Sequence, residues 1–149
     1  MKERRQEFLG ELSRKVDGKG RVVLPAEYRD LLDGDFYVTR GRDRCLYVFP
    51  WEVWQKRKRA LWELDEASAA GRDEVRAFFS GATRPELDSA GRVQLSMRLR
   101  EYAGLSQDVI FVGAGEYAEI WAAEAWARYQ PSAMAAYSGG QEESPQIDD

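Results

Sequence analysis

With 149 residues, 44% of them hydrophobic and 12% aromatic, the chain can bury a real core in one domain or in two small repeats, and no apolar run is long enough to span a bilayer. It contains no histidine and a single cysteine, Cys45, which removes Ser-His and Cys-His nucleophile pairs, His- or Cys-rich metal sites and an intramolecular disulfide, so neither a metal nor a cofactor is expected. The formal net charge is −4, and Glu142, Glu143, Asp148 and Asp149 in the cation-free stretch 131–149 account for all of it, leaving the remainder neutral.

Residues 1–10 read as a polar lead-in ending at Phe8-Leu9-Gly10, and the charged start Met1-Lys2-Glu3-Arg4-Arg5 opens no signal-peptide hydrophobic stretch, which points to the cytosol. Glu11 to Val16 then alternates as a strand, with Leu12, Arg14 and Val16 on one side and Glu11, Ser13 and Lys15 on the other. Asp17-Gly18-Lys19-Gly20-Arg21 follows. An Asp opening a tight turn that ends on Gly, with an Arg starting the return strand, suits a hairpin in which Gly20 takes a positive φ. The Asp can accept the turn's amide hydrogens and pair with the guanidinium, fixing where that cation points. Between Arg14 and Arg21 stand Arg14, Lys15, Lys19 and Arg21 against Asp17 alone, a local excess of cations that the total charge conceals.

Val22-Val23-Leu24 reads as a strand, and Pro25 introduces a short helix, Ala26 to Leu32, that buries Tyr28, Leu31 and Leu32 and stops at Gly34. Strands are predicted near Phe36 to Arg40 and Cys45 to Phe49, joined by a turn-rich Gly41-Arg42-Asp43-Arg44, with Cys45 read as a buried apolar side chain. Pro50 opens a longer helix in which Trp51, Trp54, Lys58, Leu61 and Trp62 recur at helical spacing, so that the tryptophans pack against a repeat. Lys56-Arg57-Lys58-Arg59 on that helix could form a nucleic-acid patch, but reads better as a solvated face partly paired to acids such as Glu52 and Glu63. A second helix, Asp73 to Ser80, closes the linker.

From Gly81 onward the pattern returns. Asp88-Ser89-Ala90-Gly91-Arg92 lies 71 residues after Asp17-Gly18-Lys19-Gly20-Arg21, Val93 and Leu95 fall opposite Val22 and Leu24, and Arg100 falls opposite Arg29. Cys45-Leu46-Tyr47-Val48-Phe49 aligns with Tyr117-Ala118-Glu119-Ile120-Trp121, and Trp54 with Trp126, at a spacing of 72. One loop insertion explains the change, so the chain is a tandem duplication. Ser96 is a natural N-cap for a helix Met97 to Ala103 stopped by Gly104, strands are predicted at Val109 to Val112 and Tyr117 to Trp121, and a helix around Glu124 to Tyr129 ends the pattern before an acidic tail expected to be disordered. Asp88-Ser89-Ala90-Gly91 faintly resembles an aspartic-protease loop, yet the first copy places Lys19 beside Asp17, which does not suit a dyad sharing one proton. No enzyme is expected.

The segment Leu12-Ser13-Arg14-Lys15-Val16-Asp17-Gly18-Lys19-Gly20-Arg21-Val22-Val23-Leu24-Pro25 resembles the swapped-hairpin DNA-binding element of AbrB-type regulators. From about Phe8 to Tyr129, including both Asp-x-x-x-Arg motifs, Thr39-Arg40-Gly41 and Phe78-Phe79-Ser80-Gly81, the chain is similar to the MraZ family, which contains two such units. That resemblance implies an α+β fold of two tandem AbrB-like swapped-hairpin units forming a pseudo-twofold β-barrel, with units at 8–54 and 81–129, a helical linker at 55–80 and a tail at 130–149. It further implies a cytoplasmic, nucleoid-associated repressor of the division and cell-wall gene cluster. Such a repressor forms a homo-oligomeric ring of about eight or more subunits and binds short direct repeats in double-stranded promoter DNA.

By position, Arg14, Lys15, Arg21 and Arg29 match the family's DNA-contacting cations, with Lys19 beside them at the tip. Arg92 and Arg100 are their survivors in the second copy, and Asp17, Gly20, Asp88 and Gly91 fix the turns. Pro85 and Glu86 replace Arg14 and Lys15 there, so the second unit is expected to touch DNA less, and for Arg92 a purely structural pairing with Asp88 stands level with DNA contact. Ser13 stands where members of the family often carry histidine. The alternative is an antitoxin-like or scaffold protein that uses the same duplicated unit to assemble with protein partners.

Overall fold

In the computed structural model, which describes residues 7–140, the alternating segment after Gly10 forms β1 (Glu11–Lys15), with Leu12 and Arg14 half-buried and Glu11, Ser13 and Lys15 exposed. Beyond the turn come β2 (Arg21–Val23) and helix α1 (Ala26–Leu32), which starts after Pro25, buries Tyr28 and Leu32, and ends with Asp33 in the left-handed region followed by Gly34. Strands β3 (Phe36–Arg40) and β4 (Leu46–Pro50) flank a single 3-10 turn at Arg42–Arg44. The linker folds as α2 (Trp51–Trp62) and α3 (Ala69–Gly81), the latter capped by the Ser68 hydroxyl accepting from the Gly71 amide at 3.0 Å. The second copy supplies β5 (Arg92–Gln94), α4 (Met97–Ala103), β6 (Asp108–Gly113), β7 (Ala118–Ala122) and α5 (Ala123–Ala135). As expected, Ser96 caps α4 and Gly104 ends it in the left-handed region.

The architecture is α+β. Pairing among the described residues gives a five-stranded antiparallel sheet of order β1-β6-β7-β4-β3, with β1 and β3 at its edges, and a separate two-stranded ribbon, β2-β5. The two copies exchange strands. β1 of the first copy pairs with β6 of the second, Leu12 opposite Phe111, while Thr83 of the second copy, the counterpart of Leu12, bridges to Val38 of the first. The ribbon and the β4-β7 pair sit on the internal symmetry itself: Val22 is opposite its own counterpart Val93, and Tyr47 is opposite its counterpart Glu119. Neither half completes its strand pairing alone.

Period-two alternation then sends the side chains into two cores. Leu46, Val48, Ala118 and Ile120 face a cluster with the ribbon residues Val22 and Val93, with Leu24 and Leu95 just beyond the ribbon strands, and with Tyr28 and Leu99, all buried. Cys45, Tyr47, Phe49 and Trp121 face the opposite cluster with Val53 and Trp54 of α2. Every residue of β4 is consequently buried. Trp54 stacks between Tyr37, 4.3 Å between ring centres, and Phe78, 5.3 Å.

Three expectations need adjustment. Trp51 and Trp62 do not join Trp54 in the core; both are exposed, because Val53 and Trp54 form the face of α2 turned to the sheet. Helix α5 runs through Pro131 to Ala135 rather than stopping at Tyr129, its alanine-rich flanks carrying the helix past the missing amide. Helix α3 begins at Ala69, four residues earlier than predicted. The acidic residues of the tail lie outside the described residues. No helix among the described residues is long and apolar enough to cross a membrane.

Candidate nucleic-acid interface

Both Asp-x-x-x-Arg turns are built alike. The Asp17 amide donates to the Arg21 carbonyl at 2.8 Å and the Gly20 amide to the Asp17 carbonyl at 3.0 Å; in the second copy Asp88, Arg92 and Gly91 repeat this at 3.0 Å for each bond. The closure needs a left-handed residue, and Gly20 (φ 81°) and Gly91 (φ 76°) supply it. Inside each turn the carboxylate accepts three hydrogen bonds. Oδ1 of Asp17 accepts from the amides of Lys19 and Arg21, both at 2.9 Å, and Oδ2 accepts from Arg21 Nε at 2.9 Å. Asp88 does the same with Ala90 and Arg92 at 2.9 Å and with Arg92 Nε at 2.8 Å.

Those donors stabilise the ionised form. The Arg21 amide above all, then the Lys19 amide and the Arg21 guanidinium, lower the Asp17 pKa to about 2, and the Arg92 amide and side chain hold Asp88 below the ordinary carboxylate value. Each Asp occupies only the Nε edge of its Arg. Among the described residues the terminal nitrogens of Arg21 make no hydrogen bond, and this half-exposed fork remains available at a fixed orientation.

The remaining predicted cations divide into two groups. Arg14, on β1, spends one Nη donor on the neighbouring Ser13 carbonyl at 2.7 Å, and Lys19 is exposed at the turn. Lys15, beside them, meets Asp108 directly across the strand pair at 2.7 Å, but both side chains are mostly exposed, so the pair is held by less than about 1 kcal/mol and can exchange partners. Arg29 and Arg100 are placed by the exchange of halves, Arg100 against Gly20 of the cationic first turn and Arg29 against Gly91 of the second. Each is half-buried under the turn of the other copy: a Cβ on Gly20 would come within 2.7 Å of the Arg100 guanidinium, and a Cβ on Gly91 would overlap that of Arg29.

Sequence reasoning missed this crossing. Its one available signal was the constant spacing of 71, which places Val22 opposite Val93 once the two copies pair through equivalent strands and so brings each turn beside the other copy's helix. The bridging goes further at the first turn. Gln94 Nε2 donates to the Lys19 carbonyl at 2.7 Å and Arg92 Nη1 comes within 3.9 Å of Asp17 Oδ2, whereas the strand-to-turn bond is common to both turns, Leu95 amide to Gly20 carbonyl at 2.9 Å and Leu24 amide to Gly91 carbonyl at 3.0 Å.

The basic run on α2 is largely engaged. Lys56 pairs with Glu116 at 2.9 Å rather than with Glu52 or Glu63, Arg57 lies 5.0–5.3 Å over the rings of Tyr117, Phe49 and Tyr47, and Lys58 lies 5.3 Å over Trp62. Cys45 is buried, its thiol pushed up by desolvation and donating to the Arg42 carbonyl at 3.2 Å, which leaves it a packing residue.

These features define a class: a tandemly duplicated α+β chain whose halves exchange strands and present twin Asp-x-x-x-Arg turns, one of them rich in cations. Comparison with known proteins gives the family. A family model described as "MraZ protein, putative antitoxin-like" matches residues 8–76 and again 78–144, and the chain belongs to the MraZ family. It is 42% identical to a protein named transcriptional regulator MraZ from Syntrophomonas wolfei over 130 residues, 87% of this chain and 91% of that one. It is 45% identical to the protein of the same name from Symbiobacterium thermophilum, covering 87% and 94%, and 38% identical to that from Natranaerobius thermophilus, covering 95% and 99%.

Proposed function

We propose that the chain is a sequence-specific DNA-binding transcriptional regulator without catalytic activity. It reads short direct repeats in promoter DNA through the cationic first turn of several subunits in a homo-oligomeric ring of about eight or more. The observation that carries this reading is the Asp17–Arg21 turn. The aspartate takes only the Nε edge of the guanidinium and leaves its terminal nitrogens without a hydrogen bond among the described residues, on the same turn as exposed Lys19, an arrangement suited to phosphate oxygens or to the O6 and N7 acceptors of guanine. Lys15 adds a phosphate contact when it leaves Asp108. Arg92 offers a weaker second surface, since Pro85 and Glu86 remove its neighbours.

In this reading the strand exchange makes each half a swapped-hairpin unit of a pseudo-twofold barrel, units 8–54 and 81–129 about the helical linker, and the regulator acts as a repressor of the division and cell-wall gene cluster in the cytoplasm, at the nucleoid. The printed name of the relatives supports the regulatory role. Gel shift against the chain's own upstream DNA over a salt series tests the reading. Arg21→Ala is expected to abolish the specific shift while the oligomer keeps its size by light scattering; persistence of binding would remove the tip as reader. The antitoxin-like alternative predicts no preference for that DNA over scrambled duplex.

A further inference from the structure

The two arginines under the turns, Arg29 and Arg100, occupy equivalent places, but the contacts around them are not equivalent. Three side chains of the second copy converge on the cationic first turn. Arg100 lies flat against Gly20 and donates Nε–H to the Leu95 carbonyl at 3.0 Å, while the Leu95 amide binds the Gly20 carbonyl at 2.9 Å, so guanidinium, strand and turn form one closed unit. Gln94 donates its amide to the Lys19 carbonyl at 2.7 Å, and Arg92 approaches Asp17 at 3.9 Å. In the opposite direction the Leu24 amide likewise donates to the Gly91 carbonyl at 3.0 Å and Arg29 packs on Gly91, but the counterpart of Gln94 is Val23, which has no side-chain donor, and among the described residues Arg29 makes no hydrogen bond matching that of Arg100 Nε to Leu95. The bracing is directed at the turn that carries Lys19 and Arg21.

We infer that Arg100, with Gln94, is a positioning residue for DNA recognition. It touches no DNA itself and acts from the second half of the chain by fixing the backbone on which Lys19 and Arg21 are mounted. This rests on the reading of the first turn as the DNA reader and reassigns Arg100, and by symmetry Arg29, from contact to support. The chemistry is specific to arginine: a planar group can lie on a glycine face while its Nε–H reaches a carbonyl, and lysine has neither the plane nor that donor.

The test uses the full-length protein with Arg100→Ala, Arg100→Lys and Gln94→Ala. Affinity for the upstream duplex is measured across a salt series, and deuterium exchange is followed in peptides spanning residues 19–24 and 91–95. A lost phosphate contact lowers the slope of log K against log salt by about 0.9 and is largely rescued by lysine. A lost brace does neither. The expected result is a drop in affinity of about tenfold for both Arg100 variants, an unchanged salt slope, and faster exchange in the two peptides, with Gln94→Ala showing a smaller effect confined to residues 19–24. A slope reduced by about one, or rescue by Arg100→Lys, would overturn the inference, as would unchanged exchange. If the unmodified protein shows no preference for its upstream DNA, the DNA reading itself fails, while the exchange measurement still reports whether Arg100 holds the turn.

Discussion

An aspartate that accepts two backbone amides and a guanidinium edge is committed to its charged form, and the turn around Asp17 is therefore linked to pH in a defined direction. Its pKa is about 2 in the folded chain against an ordinary 3.8. A carboxylate lowered by folding contributes stability that is fully present above the unfolded value and disappears as pH falls through the folded one, so the turn should be insensitive to pH near neutrality and loosen only between about 4 and 2. Asp88, shifted in the same direction, should behave alike. Carbon-detected NMR titration of the Asp17 carboxyl is expected to give a midpoint well below 3.8; a midpoint at or above that value would mean that the amide hydrogen bonds do not hold in solution.

The elements owe their cohesion to the ribbon and the leucines that follow its strands more than to any ion pair. Val22, Leu24, Val93 and Leu95 are each 0–1% exposed, and full burial of such side chains stabilises by about 1.5–3 kcal/mol apiece, well above the exposed Lys15–Asp108 pair. Because this cluster is shared, a hole in it should weaken both copies. Leu95→Ala is expected to cost about 2–5 kcal/mol, and unfolding followed by tryptophan emission, which senses Trp54 and Trp121 in the opposite core, should coincide with unfolding followed by far-UV circular dichroism. Two separated transitions would show the two cores to unfold independently. Much of this scale was legible in the residues. Pro25, Ser96, Gly20 and Gly104 act through local backbone chemistry, and each marks the boundary it was read to mark. The choice of partner strand was not legible, because alternation in Leu12-Ser13-Arg14-Lys15 fixes which face is buried and says nothing about Phe111 as the neighbour. The surroundings of Arg29 and Arg100 were not legible for the same reason, since they come from the exchanged half.

At the scale of the molecule, a net charge of −4 and a pI near 5.1 give no general attraction to a polyanion, and one turn offers few phosphate contacts. Each contact contributes a salt slope of about 0.9, so a single tip releases too few counterions for tight binding at physiological salt. On the proposed reading as a ring that binds DNA, specific affinity comes from several tips engaged together, where the first contact raises the effective concentration of the next, and that gain survives only if successive repeats face the same side of the duplex. Spacing is therefore the decisive variable. Inserting about five base pairs, half of the roughly 10.5 of a helical turn, between two adjacent repeats should rotate the second site away from the ring and lower the affinity toward that of a single repeat, while inserting a full turn should restore much of it. Binding that ignored helical phase would mean that each subunit grips independently, and the distribution of cations on this chain gives a lone subunit too little with which to do so.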